Sequence, residues 1–368
     1  MRKWAQKATG FCSAVLAVVA VACVAGRLPA IAAQNTALTA AGFIMPGGAA
    51  EAIKSEYWEE DEEDNAREET SSSAVSNPVS SEATRQSSPE STAASSAAAS
   101  AGSSAAAPDT TSGTTSLAGA IREMAIANAG TQYQNIWVKN YNKNHGIDIA
   151  AELAKKPAIK IKKNTVPQVL IYHTHTTEAF MGDTRTRDFS RSVVAVGDQI
   201  AAQLKAAGIN VVHDTTLHDY PSYNGSYDRS KVTIQNNLKK YPGIQVTLDI
   251  HRDAMGTSDG TRIKPTAVVN GKKAAQIMII SGCDDDGTLN FPNWEYNLRF
   301  AVRLQKSLSD MYPGLARSLD FCARKYNENL TKGSLLIEVG TEVNTVEEAK
   351  YSGELVGKAL VSTLNQLT

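Results

Sequence analysis

Residues 166–178 read V-P-Q-V-L-I-Y-H-T-H-T-T-E. The apolar run at 169–172, cut short by polar side chains, predicts a buried strand over 166–172. Two later stretches have the same form. Q-V-T-L-D-I (245–250) runs into His251, Arg252 and Asp253, and S-L-L-I (334–337) runs into Glu338. Helical spacing lies between them: Val194, Val196, Ile200 and Leu204 share one face of a helix that should stop at Gly208. Further helices are expected over 149–156, 230–240, 294–311 and 345–367. Short strands are expected at 135–138 and 209–212, with a hairpin at 267–280 turning on Gly271 and Lys272. Strands alternating with helices predict an α/β fold whose mostly parallel sheet is sandwiched by helices. In such sheets, sites form beyond the carboxyl ends of the strands.

Outward from that unit the chain changes character. It has 368 residues, 42% hydrophobic and 20% charged, with a formal net charge of −1. These totals argue against a multi-pass membrane protein and a polybasic nucleic-acid binder; no nucleic-acid partner is expected. The average hides a sorting of charge. Residues 1–50 carry four cations and no acid, and residues 51–70 carry ten acids against two cations. Of the 46 residues from 71 to 116, 33 are Ser, Ala or Thr. Residues 117–368 are left at +5, against −6 for everything before them. A mildly basic folded part suits an anionic polymer, and solubility alone accounts for the same number.

Residues 1–33 are expected to be a membrane anchor or a signal segment. The uncharged run 11–26 is sixteen residues long, short for a hydrocarbon core of about 30 Å. Ala30-Ile31-Ala32 fits a cleavage site; an anchor extended through residue 33 is the competing reading. Either one would export the folded part of the chain. Residues 34–116 cannot bury enough apolar surface to offset chain entropy and are expected to form a disordered, acidic and Ser/Ala/Thr-rich linker. A small N-terminal lobe is expected over 117–164 and the main α/β domain over 165–368. Cys283 and Cys322, in an exported domain, are candidates for pairing or for free thiols.

The polar strand ends carry the chemistry. Five of the six histidines lie between 173 and 251. His175 and Glu178, in H-x-x-E spacing, can reach one metal ion. His251 from a neighbouring strand end completes two imidazoles and one carboxylate, a set that leaves an open position on zinc for water. His173 is the alternative to His175 as ligand, or orients a ligand from behind. Glu338 in an apolar strand is costly without a purpose, and is the candidate catalytic base. Arg252 is the candidate for holding substrate or oxyanion, with an ion pair to Asp253 as the plainer alternative. Asp249 reads as a buried hydrogen-bond partner. His145, His213 and His218 read as ordinary surface residues, and Glu342, Glu347 and Glu348 as a solvated face or a helix's first turn.

Y-H-T-H-T-T-E-A-F at 172–180, D-I-H-R-D-A at 249–254 and L-L-I-E-V-G at 335–340 resemble the stage II sporulation protein P family. Supporting stretches are V-A-V-G at 194–197, H-D-Y-P-S-Y-N at 218–224, Y-N at 326–327 and residues 344–349. The resemblance covers roughly residues 135–367. It implies a fold similar to the zinc-dependent N-acetylmuramoyl-L-alanine amidases and the zinc carboxypeptidases. It also implies a membrane-anchored, extracytoplasmic peptidoglycan hydrolase with amidase and endopeptidase activity, thinning the septum during engulfment. Zinc would fall on His175, Glu178 and His251, with Glu338 catalytic. The implied partners are stage II sporulation protein D and stage II sporulation protein M. Two other readings stand beside it: a non-catalytic wall-binding scaffold and a zinc carboxypeptidase-like exoenzyme.

Overall fold

The computed structural model describes residues 119–162 and 165–367. The expected leader and linker over 1–116 lie outside these residues. Among the described residues no helix is long and apolar enough to cross a membrane.

The chain enters through β1 (Ile121–Met124), β2 (Thr131–Tyr133), β3 (Ile136–Asn140) and the short α1 (Ile149–Ala154). It continues through β4 (Val169–Tyr172), α2 (Val193–Ala206), β5 (Val211–His213), α3 (Ser226–Lys240) and β6 (Val246–Asp253). The hairpin β7 (Arg262–Val269) and β8 (Lys272–Ala275) precedes β9 (Ile277–Gly282), α4 (Trp294–Met311), β10 (Leu319–Cys322), β11 (Ser334–Thr341) and α5 (Val346–Asn365). Local chemistry sets the boundaries. The Ser192 side chain accepts from the Val194 N–H and starts α2. Gly208, at φ +76°, ends it in the left-handed conformation. Thr345 and Glu348 form a reciprocal capping box at the start of α5.

Eight strands form one sheet in the order β2-β3-β10-β9-β11-β6-β4-β5, and β1, β7 and β8 form a smaller one. The expected mostly parallel α/β architecture is therefore present, with a consequence for where sites can form. Strands β11, β6, β4 and β5 run parallel to one another. Strands β3, β10 and β9 form a second parallel set. The two sets meet head to tail at β9 and β11, which pair antiparallel. The sheet thus presents carboxyl strand ends at both of its edges. Residues expected to form a separate N-terminal lobe instead give β2 and β3 to the main sheet and β1 to the smaller one.

All residues of β4, β6, β9 and β11 are buried, which requires helices on both faces. On one face Ile200, Leu204, Phe300, Leu304, Val356 and Leu360 from α2, α4 and α5 pack on Ile250, Ile279 and Ile337. Each such side chain contributes about 1.5–3 kcal/mol through burial. On the other face Ile234 of α3 packs against Leu170 and Tyr172, and Tyr227 against Met278, Ile280 and Leu336. Strand alternation puts Asp249, His251 and Glu338 on this second face. Cys283 and Cys322 are free thiols. They belong to clusters on opposite faces, although the Cys283 N–H donates to the Cys322 carbonyl at 2.8 Å.

Candidate metal centre

The strand β4 stops at Tyr172, and the next six residues fold back on themselves. The Glu178 N–H donates to the His175 carbonyl at 3.1 Å, a tight turn that brings the two side chains together. The loop is tied from three sides. The Thr174 N–H and hydroxyl donate to Asp249 at 2.8 and 2.6 Å. The Thr177 hydroxyl donates to Asp219 at 2.6 Å, and Arg185 pairs with the same carboxylate at 2.8 Å. The Arg252 N–H donates to Glu178 Oε2 at 2.9 Å.

His175, Glu178 and His251 each turn one ligand atom inward, and these atoms lie within 4.8 Å of one another. His175 Nδ1 is 3.4 Å from Glu178 Oε1, and His251 Nδ1 is 3.5 Å from Glu178 Oε2. On the far side of its ring, His251 Nε2 is 2.9 Å from Asp249 Oδ1. The two groups form a buried ion pair without the alignment of a hydrogen bond. Burial disfavours a charged His251, but the Asp249 and Glu178 carboxylates outweigh it and hold its pKa well above the usual imidazole value. Burial raises Glu178, while His251, His175 and Arg252 outweigh it and keep its carboxyl well below the usual range. The three groups are a preformed set of two imidazoles and one carboxylate, which fits a divalent metal of intermediate softness.

The two histidines of H-T-H face different ways. His173 points away from the cluster. Its Nδ1 lies 2.8 Å from the Ile250 carbonyl, which only accepts, so Nδ1 carries the proton. Its Nε2 then accepts from His213 Nε2 at 2.9 Å. Burial first, then the neighbouring His213, lowers its pKa to about 3. His173 is a neutral structural link between strands.

Glu338 is 7% exposed and stands on β11 in register with His251 on β6. Neighbouring strands are about 4.8 Å apart, so its carboxylate shares the cluster's side of the sheet. Arg252, expected to hold substrate or oxyanion, has its guanidinium on carbonyls instead. It donates to Ala179 at 3.1 Å, Thr184 at 2.7 Å and Asp253 at 3.3 Å. Asp253's carboxylate pairs with Arg317 at 2.8 Å.

Two histidines read as surface residues are not. His218 is 1% exposed and bridges the His173 carbonyl at 2.7 Å and the Thr233 hydroxyl at 2.8 Å. The His213 side chain is 8% exposed, held between His173 and Asp198. Glu342 and Glu348 are buried as well, paired with Arg262 and Lys264 at 2.8 and 2.7 Å. His218, His213 and Glu342 are satisfied by partners distant in sequence, which no local pattern announces, whereas Glu348 also accepts the Thr345 N–H within the capping box.

Sequence reasoning assigned no role to Tyr223. Its ring stacks on His175 with centroids 4.4 Å apart, and its hydroxyl is 3.3 Å from His175 Nδ1. Arg185 covers the same ring at 4.6 Å. Asp249 was legible: an acid two residues before a strand histidine shares its face.

The fold and cluster define a class: an α/β sheet protein with a buried His/Glu/His set at the carboxyl ends of parallel strands. A family model described as Stage II sporulation protein P matches residues 34–361, and the chain belongs to that family. It is 30% identical over 198 residues to stage II sporulation protein P of Bacillus subtilis (strain 168), a match covering 49% of this chain and 47% of that protein. The chain thus spans about half the length of the curated relative it matches. Among solved structures it is similar to the CwlD amidase of Clostridioides difficile in complex with the GerS lipoprotein. There the TM-score is 0.34 and the identity 14%, over 54% of this chain and 98% of that one. A metallo-carboxypeptidase from Burkholderia cenocepacia gives a TM-score of 0.35 and 9% identity, over 59% and 63%. Likenesses at these TM-scores carry no argument about activity.

Proposed function

We propose that this protein is a peptidoglycan hydrolase of sporulation that cleaves the N-acetylmuramoyl-L-alanine amide, and stem-peptide cross-links as well. His175, Glu178 and His251 would hold its zinc ion. The carrying observation is the convergence of those three ligand atoms within 4.8 Å, beside Glu338 on the adjacent strand. Membership in the stage II sporulation protein P family supports the cellular setting. Zinc bound there would polarise the scissile carbonyl and acidify a water molecule.

The chain's own residues do the rest. Glu338 takes a proton from the attacking water and returns it to the amide nitrogen as the C–N bond breaks. Water is thereby added across the bond, leaving a lactyl carboxylic acid and a free alanine amine. We assign the Tyr223 hydroxyl, 3.3 Å from His175 Nδ1, the role of donating to the carbonyl oxygen as charge builds there. We assign Asp249, 2.9 Å from His251 Nε2, to steadying that ring through its charge. Arg252 acts as a positioning residue, fastening the 179–184 loop and the Glu178 carboxylate. We assign the work to the outer face of the cell membrane, with the segment before residue 117 as anchor and tether. Stage II sporulation proteins D and M are the proposed partners.

The test is mass spectrometry of fragments released from purified cell wall by the full chain. Free stem peptides report amidase cleavage, and loss of cross-linked dimers reports endopeptidase cleavage. Release of neither by the zinc-loaded protein would sink the proposal.

A further inference from the structure

The second parallel set, β3, β10 and β9, ends at the opposite edge of the sheet from His251. Three donors from two loops meet there. His145 lies on the loop after β3, Cys283 is the first residue beyond β9, and Asp285 comes two residues later. One ligand atom from each lies within 4.8 Å of the others. The place is built. The Asp285 carboxylate accepts the N–H groups of Lys143, Asn144 and His145 at 2.9, 2.9 and 3.2 Å. The Tyr141 N–H fastens the same loop to the Phe321 carbonyl at 2.8 Å. The His145 ring rests on Trp294 with centroids 4.8 Å apart, and Cys283 is completely buried.

The local field is negative. Burial, then the charges of Asp285, Asp284 and Glu295, push the Cys283 thiol up to about 12. Burial opposes ionisation of Asp285, but the three backbone N–H groups outweigh it and hold its carboxyl below the usual range. A thiol, an imidazole and a fixed carboxylate in a negative field form a ready cation site.

We infer that His145, Cys283 and Asp285 bind a second metal ion, a thiophilic divalent cation of zinc's type. Sulfur and imidazole donors select such an ion over magnesium or calcium. On binding, Cys283 loses its proton to solvent, and sulfur, nitrogen and oxygen each give an electron pair to the metal; nothing is oxidised or reduced. The ion joins the 142–145 loop to the end of β9. The inference is independent of the proposed hydrolase activity, because it concerns the other edge of the sheet.

The test uses the reduced full chain, stripped with chelator and titrated with cobalt(II) as probe. A thiolate ligand gives a near-ultraviolet charge-transfer band, which a His/Glu/His site cannot give. The expected result is that band in the wild type and its loss in Cys283→Ser. In His145→Ala, a change on a partly exposed loop, the cobalt affinity read from the band should fall at least about tenfold. The visible cobalt bands of the first centre should persist in both variants and disappear in His251→Ala. No thiolate band in the wild type, a band that survives Cys283→Ser, or unchanged affinity in His145→Ala would each overturn the inference.

Discussion

Asp249→Asn isolates the part of the metal centre that never touches the metal. Asp249 is 1% exposed and accepts from the Thr174 N–H and hydroxyl at 2.8 and 2.6 Å, with His251 Nε2 at 2.9 Å. Asparagine keeps the shape and one acceptor oxygen, but loses the charge that makes His251 a stronger ligand. Removing such a support costs about 10–100-fold in metal affinity, or about 1.4–2.8 kcal/mol. The substitution has a second effect of opposite sign. Asp249 also helps hold His251's pKa well above the usual value in the metal-free protein, where a proton competes with the metal. Losing that carboxylate weakens the competitor. The deficit should therefore be full at alkaline pH, where His251 has already lost its proton, and should shrink as pH falls. Competition against a chromophoric chelator across a pH series measures both effects. Wild-type affinity at alkaline pH, or a deficit that grows on acidification, would refute the reasoning.

Glu338→Gln should leave metal affinity within about twofold of wild type and lower wall digestion by about 10²–10⁴-fold, the usual contribution of a positioned acid–base group. Equilibrium dialysis with zinc and dye release from labelled wall check the two halves. In the wild type, zinc affinity should rise with pH until the proton has left His251, because its raised pKa makes the proton the metal's competitor; isothermal titration in two buffers of different ionisation enthalpy would show the released proton. Gly340→Ala tests the strand end beyond Glu338. Gly340 sits at φ +64°, and an added Cβ would lie 2.6 Å from Asn344 Oδ1 and 2.8 Å from the Ala275 Cβ. The left-handed backbone alone costs about 1–2 kcal/mol, so urea unfolding should show at least that loss; an unchanged midpoint would contradict the packing described.

The strands that carry the site were legible because burial on both faces leaves an apolar run, as in residues 169–172 and 334–337. Helix ends were legible where a cap marked them, at Gly208 and Thr345. Strand β10, L-D-F-C, is too short and too mixed to stand out, and sheet pairing alone makes it a strand. The N-terminal strands had the same weakness, so their membership of the two sheets was hidden. Within the site, H-x-x-E spacing brought forward His175 and Glu178. Choosing between His173 and His175 required knowing that one ring meets the Ile250 carbonyl while the other faces Glu178. Arg252 carries the opposite lesson: its charge and position suggested substrate, and the loop carbonyls it satisfies lie 68–73 residues away in sequence. The buried His218 is held by residues 15 and 45 positions distant, so its burial was invisible locally.

The central claim is that one metal held by His175, Glu178 and His251 makes this chain a wall hydrolase. Its most direct test is release of peptides from purified cell wall as zinc is restored to chelated full-length protein, for the wild type, Glu178→Ala and His251→Ala. The wild type should recover activity with added zinc while both variants stay inactive. Activity in the chelated wild type, or equal recovery by the variants, would contradict it.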